Sequence, residues 1–179
     1  MNSTPRPECG SFGCRMPPGH NMGQVDIPEN HNPHARPEWD SYFLGVAVAV
    51  AQRGDCTRSR VGAVLVDDQS KRILSTGFNG VDRGQPGCLS GACPRGLLTL
   101  DEHPPGGDYS NCIAKHAEHN TLEWWDVFNR TYTVRQHSAT SMYITRRPCD
   151  DCQQLMKEYG ITRTLFPDGY LDLTPNKGL

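Results

Sequence analysis

Two short motifs contain side chains that could together bind a metal ion and move protons. The first is His116-Ala117-Glu118, and the second is Pro148-Cys149-Asp150-Asp151-Cys152. Cys149 and Cys152 are three residues apart, so on a helix both thiolates point towards the same side. With His116 they make three zinc ligands, which leave the fourth tetrahedral position open to water, as in a catalytic zinc site.

Glu118 provides the second component of such a site. Zinc lowers the pKa of bound water towards about 7, but protons must still reach the substrate and its leaving group. A carboxylate beside the metal, and not bound to it, can carry out both transfers as the catalytic residue. This H-x-E…P-C-x-x-C pattern is typical of zinc-dependent nucleobase deaminases. The alternative, a structural zinc held by Cys149, Cys152 and other cysteines, leaves Glu118 without a role.

The elements that must position these motifs alternate along the chain. Apolar periodicity and helix-start and helix-stop residues predict helices from Pro37 to about residue 53, over 113–128 and over 148–159. Short β-branched runs predict strands over 61–66, 72–76, 141–145 and 161–166, with a long loop from 77 to about 111. This order predicts an α/β fold with a mixed sheet covered by helices.

Length and composition limit the organisation and the partners. The chain has 179 residues, 36% of them hydrophobic, and a net charge of −2. We expect one compact domain over residues 37–179 after an irregular or mobile Pro-, Gly- and His-rich tail over residues 1–36. The near-neutral charge argues against a nucleic-acid partner and allows a small anionic substrate. No segment resembles a secretory signal or a membrane span, so we expect a cytoplasmic protein.

Several stretches resemble the deoxycytidylate (dCMP) deaminase family, in particular its bacterial and phage branch with an additional zinc. The likeness extends over about residues 37–168 and is carried by the stretches 39–43, 61–63, 77–80, 116–120 and 142–149. The two zinc motifs define the cytidine-deaminase-like superfamily, and Gly77-Phe78-Asn79-Gly80 with the opening of the first helix points to dCMP deaminases within it.

The resemblance implies a fold, a reaction and regulation. The fold is a three-layer α/β/α sandwich with a mixed central sheet, and the reaction is hydrolysis of dCMP to dUMP and ammonia, which supplies dUMP for thymidylate synthesis. Many members are homo-oligomers, often hexamers, activated by dCTP and inhibited by dTTP. The alternatives are a deaminase of another cytosine nucleotide, nucleoside or polynucleotide base, or a non-catalytic zinc-binding module.

Four further cysteines predict a second, structural zinc. Similar cysteines occur in the branch that the chain resembles, and here they are Cys56, Cys88, Cys93 and Cys112. A closed four-sulfur site would fix the long loop beside the catalytic helix. The alternative is that these residues are reduced, free thiols. Cys9, Cys14 and His20 could form another site, but a disordered tail is the preferred interpretation of that segment.

Substrate contacts are the least specific part of the sequence. The resemblance places Asn79 near the sugar and nucleotide pocket, although a simple turn would also explain this residue. Tyr109, upstream of the catalytic helix, could pack on the base or sugar. A phosphate requires cationic donors, and Arg146 is our candidate because it is close in sequence to Cys149. Five other arginines qualify by type: Arg58, Arg60, Arg83, Arg95 and Arg147.

Overall fold

A five-stranded mixed sheet forms the centre of the structure, a computed structural model that describes residues 36–99, 101–102, 109–132 and 139–174. The strands are β1 (Gly62–Asp67), β2 (Arg72–Phe78), β3 (Thr140–Ile144), β4 (Arg163–Phe166) and β5 (Gly169–Asp172). Their order is β2-β1-β3-β4-β5. Only the β3–β4 pair is parallel, and the other three pairs are antiparallel.

The central strands are buried on both faces. Every residue of β1 and of β3 is buried, as expected for strands covered by helices on either side. Helix α1 (Trp39–Ala51) packs through Phe43 and Ala47 on one face. On the other face lie α3 (Ala117–Tyr132) and α4 (Asp150–Glu158). The predicted three-layer α/β/α sandwich with a mixed sheet is therefore confirmed.

The strand order decides where the site forms. Since β1 is antiparallel to both β2 and β3, those two strands run in the same direction and end at the same edge of the sheet. The chain leaves β3 at this edge and enters α4 within six residues. The segment before α3 is bound to the end of β2 by paired hydrogen bonds between the main chains of Gly80 and Lys115. Both motifs are thus brought to one edge of the sheet.

Several boundaries differ from the sequence-based predictions. Helix α3 begins at Ala117 and not at residue 113, because residues before it pair with Gly80 instead of forming helical hydrogen bonds. The loop after β2 contains a 3₁₀ turn at Cys88–Ser90 and a short helix, α2 (Pro94–Leu97). Strand β5 was not predicted. It pairs with β4 through a tight turn and completes the sheet.

Two predictions fall partly or wholly on segments for which the structure gives no description. The predicted tail, residues 1–36, lies outside the described residues except for Arg36, and so do Cys9, Cys14 and His20. None of the helices in the described part of the chain has the length and hydropathy needed to cross a membrane.

Gly77 is the point of closest approach between the sheet and α3. A Cβ atom placed there would lie 2.5 Å from both the backbone nitrogen and Oγ1 of Thr121, and 2.7 Å from the carbonyl oxygen of Ala117. Two of these atoms belong to the helix backbone and cannot rotate away. Only glycine permits this contact.

We therefore expect Gly77→Ala to destabilise the protein by about 1–3 kcal/mol, because α3 must move away from the sheet. Gly45→Ala is the matched control. Gly45 is exposed in α1, and a Cβ atom added there would meet no other atom within 4 Å, so alanine should stabilise the protein by about 0.5–1 kcal/mol. Urea unfolding of both variants measures these changes, and equal stability of Gly77→Ala and the parent would contradict the proposed packing.

Candidate active site

Two hydrogen-bonded contacts with the end of β2 position the His116-Ala117-Glu118 motif. Gly80 and Lys115 exchange main-chain hydrogen bonds of 3.1 and 2.9 Å, which fixes the residue before His116. In the first turn of α3, Asn120 donates from Nδ2 to the carbonyl oxygen of Phe78 at 2.7 Å. His116 therefore lies just ahead of the helix and Glu118 within its first turn.

The second motif begins α4. Cys149 has an extended backbone as the N-cap residue, and Cys152 lies in the first turn, where the carbonyl of Cys149 accepts from the backbone N–H of Gln153 at 2.9 Å. This cap geometry turns both thiols towards His116. Nδ1 of His116 is 3.3 Å from Sγ of Cys152 and 3.5 Å from Sγ of Cys149.

These three side chains form a compact donor set. All three candidate ligand atoms lie within 4.8 Å of one another, and no other group of three or more potential ligands in the described ranges is as close. One imidazole nitrogen and two thiol sulfurs are ligands that zinc prefers. The donor set therefore fits Zn²⁺.

The electrostatics of the pocket also favour a cation. Burial raises the pKa of the Cys152 thiol well above its usual range, and the neighbouring Glu118 and Cys149 raise it further. Burial likewise raises the pKa of the Glu118 carboxyl, whose residue is 4% exposed, although hydrogen bonds and His116 partly oppose this. Ionised thiols and a carboxylate so close together repel one another, and a divalent cation reverses that effect.

A cavity of about 330 Å³ opens beside these groups. Its walls include His116, Glu118 and Cys149, and also each of the three predicted substrate contacts. Those three are Asn79, Tyr109 and Arg146. The cavity thus joins the candidate metal ligands, the candidate proton carrier and the candidate binding residues in one space.

Asn79 is already engaged by the backbone. Its Oδ1 accepts from the N–H of Val61 at 2.8 Å, and its Nδ2 donates to the carbonyl of Ser59 at 2.8 Å. The side chain therefore braces the segment that leads into β1. Contact between Asn79 and a substrate stays a prediction, which the position of Asn79 on the cavity wall supports.

Tyr109 lies between a metal-ligand candidate and a buried cation. Its ring meets the ring of His116 edge to face, with centroids 5.4 Å apart. On Tyr109, the guanidinium carbon of Arg95 is 3.8 Å from the ring centroid. Arg95 qualified in the sequence only as one arginine among six, because nothing in its local pattern indicates burial.

Lys115 was not predicted as a site residue, although it precedes His116. It lines the cavity, and its Nζ forms ion pairs with Asp82 at 2.7 Å and Glu123 at 2.8 Å. These bonds raise the pKa of Lys115 above its usual value. The sequence shows Lys115 next to the H-x-E motif, but only the fold brings Asp82 and Glu123 to it.

The other four described cysteines lie close to one another next to this cavity. The thiol of Cys93 contacts those of Cys88 and Cys112, and Cys56 is near enough to act electrostatically on both Cys88 and Cys112. Burial, with the neighbouring thiol of Cys93, raises the pKa of Cys88 to about 12. Cys56 and Cys112 also line the cavity. The four sulfurs do not form a set as tight as that around His116.

Comparison with known proteins identifies related sequences. Residues 37–167 match the model of the cytidine and deoxycytidylate deaminase zinc-binding region. A deoxycytidylate deaminase of Mycobacterium phage D29 is 44% identical over 138 residues, which are 74% of this chain and 97% of that protein. The Schizosaccharomyces pombe deoxycytidylate deaminase is 33% identical over 135 residues. That match covers 75% of this chain but only 38% of the yeast protein.

A solved structure has a similar fold. The dCMP deaminase of cyanophage S-TIM5, in complex with dCMP and dUMP, superposes with a TM-score of 0.53 at 25% identity. The match covers 74% of this chain and 83% of the cyanophage chain.

The bracing role of Asn79 gives a prediction about stability. Asn79→Ala leaves the N–H of Val61 and the carbonyl of Ser59 without their partner, so we expect a loss of about 1–3 kcal/mol in the free energy of unfolding. Gln85→Ala is the control, since Gln85 is an exposed turn residue and should change the stability by less than about 0.5 kcal/mol. Denaturant unfolding compares the two, and similar small effects would show that the Asn79 hydrogen bonds contribute little.

Proposed function

The chain belongs to the cytidine and deoxycytidylate deaminase family, and we propose that it hydrolyses dCMP to dUMP and ammonia as a zinc-dependent enzyme. The observation that carries this proposal is the convergence of one imidazole and two thiols beside the buried carboxyl of Glu118, on the wall of one cavity. The relative bound to both dCMP and dUMP supports the same substrate and product.

His116, Cys149 and Cys152 hold the zinc ion in this proposal. Zinc supplies an activated water nucleophile when it is bound. Three protein ligands leave a coordination position for that chemistry. Both thiols lie at the start of α4, where the helix dipole favours the thiolate form that a metal ligand needs.

Glu118 moves the protons. Its carboxylate takes a proton from the attacking water and delivers it to the ring nitrogen next to the reacting carbon, and a second transfer releases the amino group as ammonia. The net reaction adds one water molecule and releases one ammonia molecule. Burial raises the pKa of the Glu118 carboxyl, which favours the protonated form that the second transfer requires.

Binding, regulation and assembly complete the proposal. Asn79, Tyr109 and Arg146 contact the nucleotide, dCTP and dTTP act as opposing effectors, and the chain forms a homo-oligomer, with a hexamer as the family's common form. We place the enzyme in the cytoplasm, where ligand thiols stay reduced.

A substrate panel tests the reaction. We expect turnover of dCMP to exceed that of deoxycytidine, dCTP and single-stranded DNA, each measured with and without dCTP or dTTP as effector. Glu118→Gln should lower kcat on dCMP by about 10²–10⁴-fold, since it removes general acid–base catalysis, while the zinc content stays the same.

Glu158→Gln is the matched control, because Glu158 is an exposed residue at the end of α4, and it should keep the parental rate. Parental turnover by Glu118→Gln would refute the mechanism. Preference for another member of the panel would refute the substrate assignment.

We further propose that Cys56, Cys88, Cys93 and Cys112 bind a structural zinc. The mutual contacts of their thiols support this, as do the three chain segments that they join. Four thiolate ligands leave no position for water, so such an ion stabilises the fold and takes no part in the reaction.

Metal analysis of the full chain distinguishes two zinc sites from one. We expect two zinc ions per chain in the parent, one in Cys88→Ser and one in Cys149→Ser. Cys88→Ser should also lose thermal stability, because the loop is no longer held by the metal. One zinc per parental chain, unchanged by Cys88→Ser, would leave the four cysteines as free thiols.

A further inference from the structure

Arg95 is a buried arginine on the wall of the active-site cavity. Only 6% of its surface is exposed, and it lies in the short helix α2, directly after the Pro94 that follows Cys93. Its Nε has no hydrogen-bond partner within the described part of the chain. Among the described residues, no carboxylate forms an ion pair with its guanidinium.

A buried guanidinium without a counter-ion needs some other compensation, since loss of hydration disfavours the charge. The ring face of Tyr109 provides part of it, with the guanidinium carbon 3.8 Å from the ring centroid. A ring does not satisfy the directional N–H donors, and Nε, which is itself buried, has no partner among the described residues. Because Arg95 lines the cavity, an anion that enters the cavity could accept from its guanidinium.

The other cations of the cavity wall are more exposed or already engaged. Lys115 is paired with Asp82 and Glu123. Arg58 donates to the carbonyl of Leu98 at 3.1 Å. Arg146 and Arg147 are both exposed to solvent. Among these cations, Arg95 is therefore the one whose buried charge a bound anion would stabilise most.

We propose that Arg95, held against the ring of Tyr109, binds the 5′-phosphate of the substrate and so makes this enzyme select nucleoside monophosphates over nucleosides. The inference rests on the proposed function for the identity of the anion. The planar guanidinium can donate two parallel hydrogen bonds to phosphate oxygens. Such bonds are strong because the cavity wall shields them from water.

A second interpretation of the same burial must be separated from this one. Arg95 lies beside Cys93, so its charge could instead balance the thiolates of Cys56, Cys88, Cys93 and Cys112. In that case its removal would affect the zinc content and the stability, but not the discrimination between a nucleotide and a nucleoside.

The test compares ligands that differ only by the phosphate. For Arg95→Gln, we expect kcat/KM on dCMP to fall by about 10- to 100-fold, mainly through KM, which is the loss expected for a charge-assisted pair. The kcat/KM on deoxycytidine should stay near that of the parent, since the nucleoside has no phosphate group for Arg95 to bind. Arg53→Gln is the control, because it removes an exposed arginine that is not on the cavity wall. Its kcat/KM values on dCMP and on deoxycytidine should both equal those of the parent.

Binding without turnover gives an independent result. By calorimetry, we expect the Kd of dUMP to rise by about the same factor as kcat/KM on dCMP falls. The Kd of deoxyuridine should stay unchanged. If dCMP proves not to be a substrate but dUMP binding still depends on Arg95, the phosphate site stands and the proposed reaction fails. If dCMP is turned over with an unchanged preference over deoxycytidine in Arg95→Gln, the phosphate site fails alone.

Folding of the variant is controlled separately. Zinc content and thermal unfolding are measured for each protein, and Arg95→Lys replaces Arg95→Gln if the latter does not fold. Lysine keeps the charge but not the paired donors, so it should show a smaller loss confined to phosphate-bearing ligands. Equal losses for dUMP and deoxyuridine, or a loss of zinc with no change in selectivity, would overturn the proposal.

Discussion

The direct contact between β2 and α3 at Gly77 determines the geometry of the site. Because no side chain separates them, the backbone of α3 rests on the strand. Thr121 completes the contact: its hydroxyl donates to the carbonyl of Ala117 at 2.8 Å, and its own carbonyl accepts from Ser75. These contacts together fix the distance between α3 and the sheet. His116 and Glu118 stand at the start of that helix, so the same contact sets their position relative to Cys149 and Cys152.

Strands β2 and β3 run in the same direction, so the contact between β2 and α3 also positions the first motif next to the second. Both strands end at one edge, and the segments that follow them supply the imidazole and the two thiols. Neither motif could assemble the site alone, because each provides an incomplete ligand set. The helix starts add a favourable field for thiolates, but burial acts in the opposite direction and raises the pKa of Cys152. A dication bound by these three groups would resolve this conflict, and part of the stability of the folded domain would then depend on the metal.

The sequence was most informative where chemistry and periodicity coincide. The two motifs, the three-layer arrangement and four of the five strands followed from spacing, β-branched runs and resemblance. Strand β5 was missed because its four residues, Gly169–Asp172, are mostly exposed and carry little periodic signal. The start of α3 was placed too early because the pairing of Lys115 with Gly80 is a tertiary effect that no local window shows.

Individual site residues show the same division between local and tertiary information. Local spacing indicates His116, Cys149 and Cys152 as candidate ligands, and the structure brings them together. The Asn79 amide faces two backbone groups of a segment about 20 residues away, a role that its turn-like sequence context could not indicate. The guanidinium of Arg95 lies over the ring of Tyr109, which is 14 residues later in the chain. Such pairs form only when the long loop folds back on itself, and their members look like surface residues in the sequence.

The long loop connects the two proposed metal sites through the substrate pocket. It carries Cys88 and Cys93, then Arg95, and returns through Tyr109 to Cys112, immediately before the catalytic motif. If the four cysteines bind zinc as proposed, that ion fixes both ends of the segment that presents Arg95 and Tyr109 to the cavity. The ring of Tyr109 in turn contacts His116 at the other metal. Such a structural ion would also act on substrate selection, because it would limit how far the guanidinium can move from the proposed phosphate position.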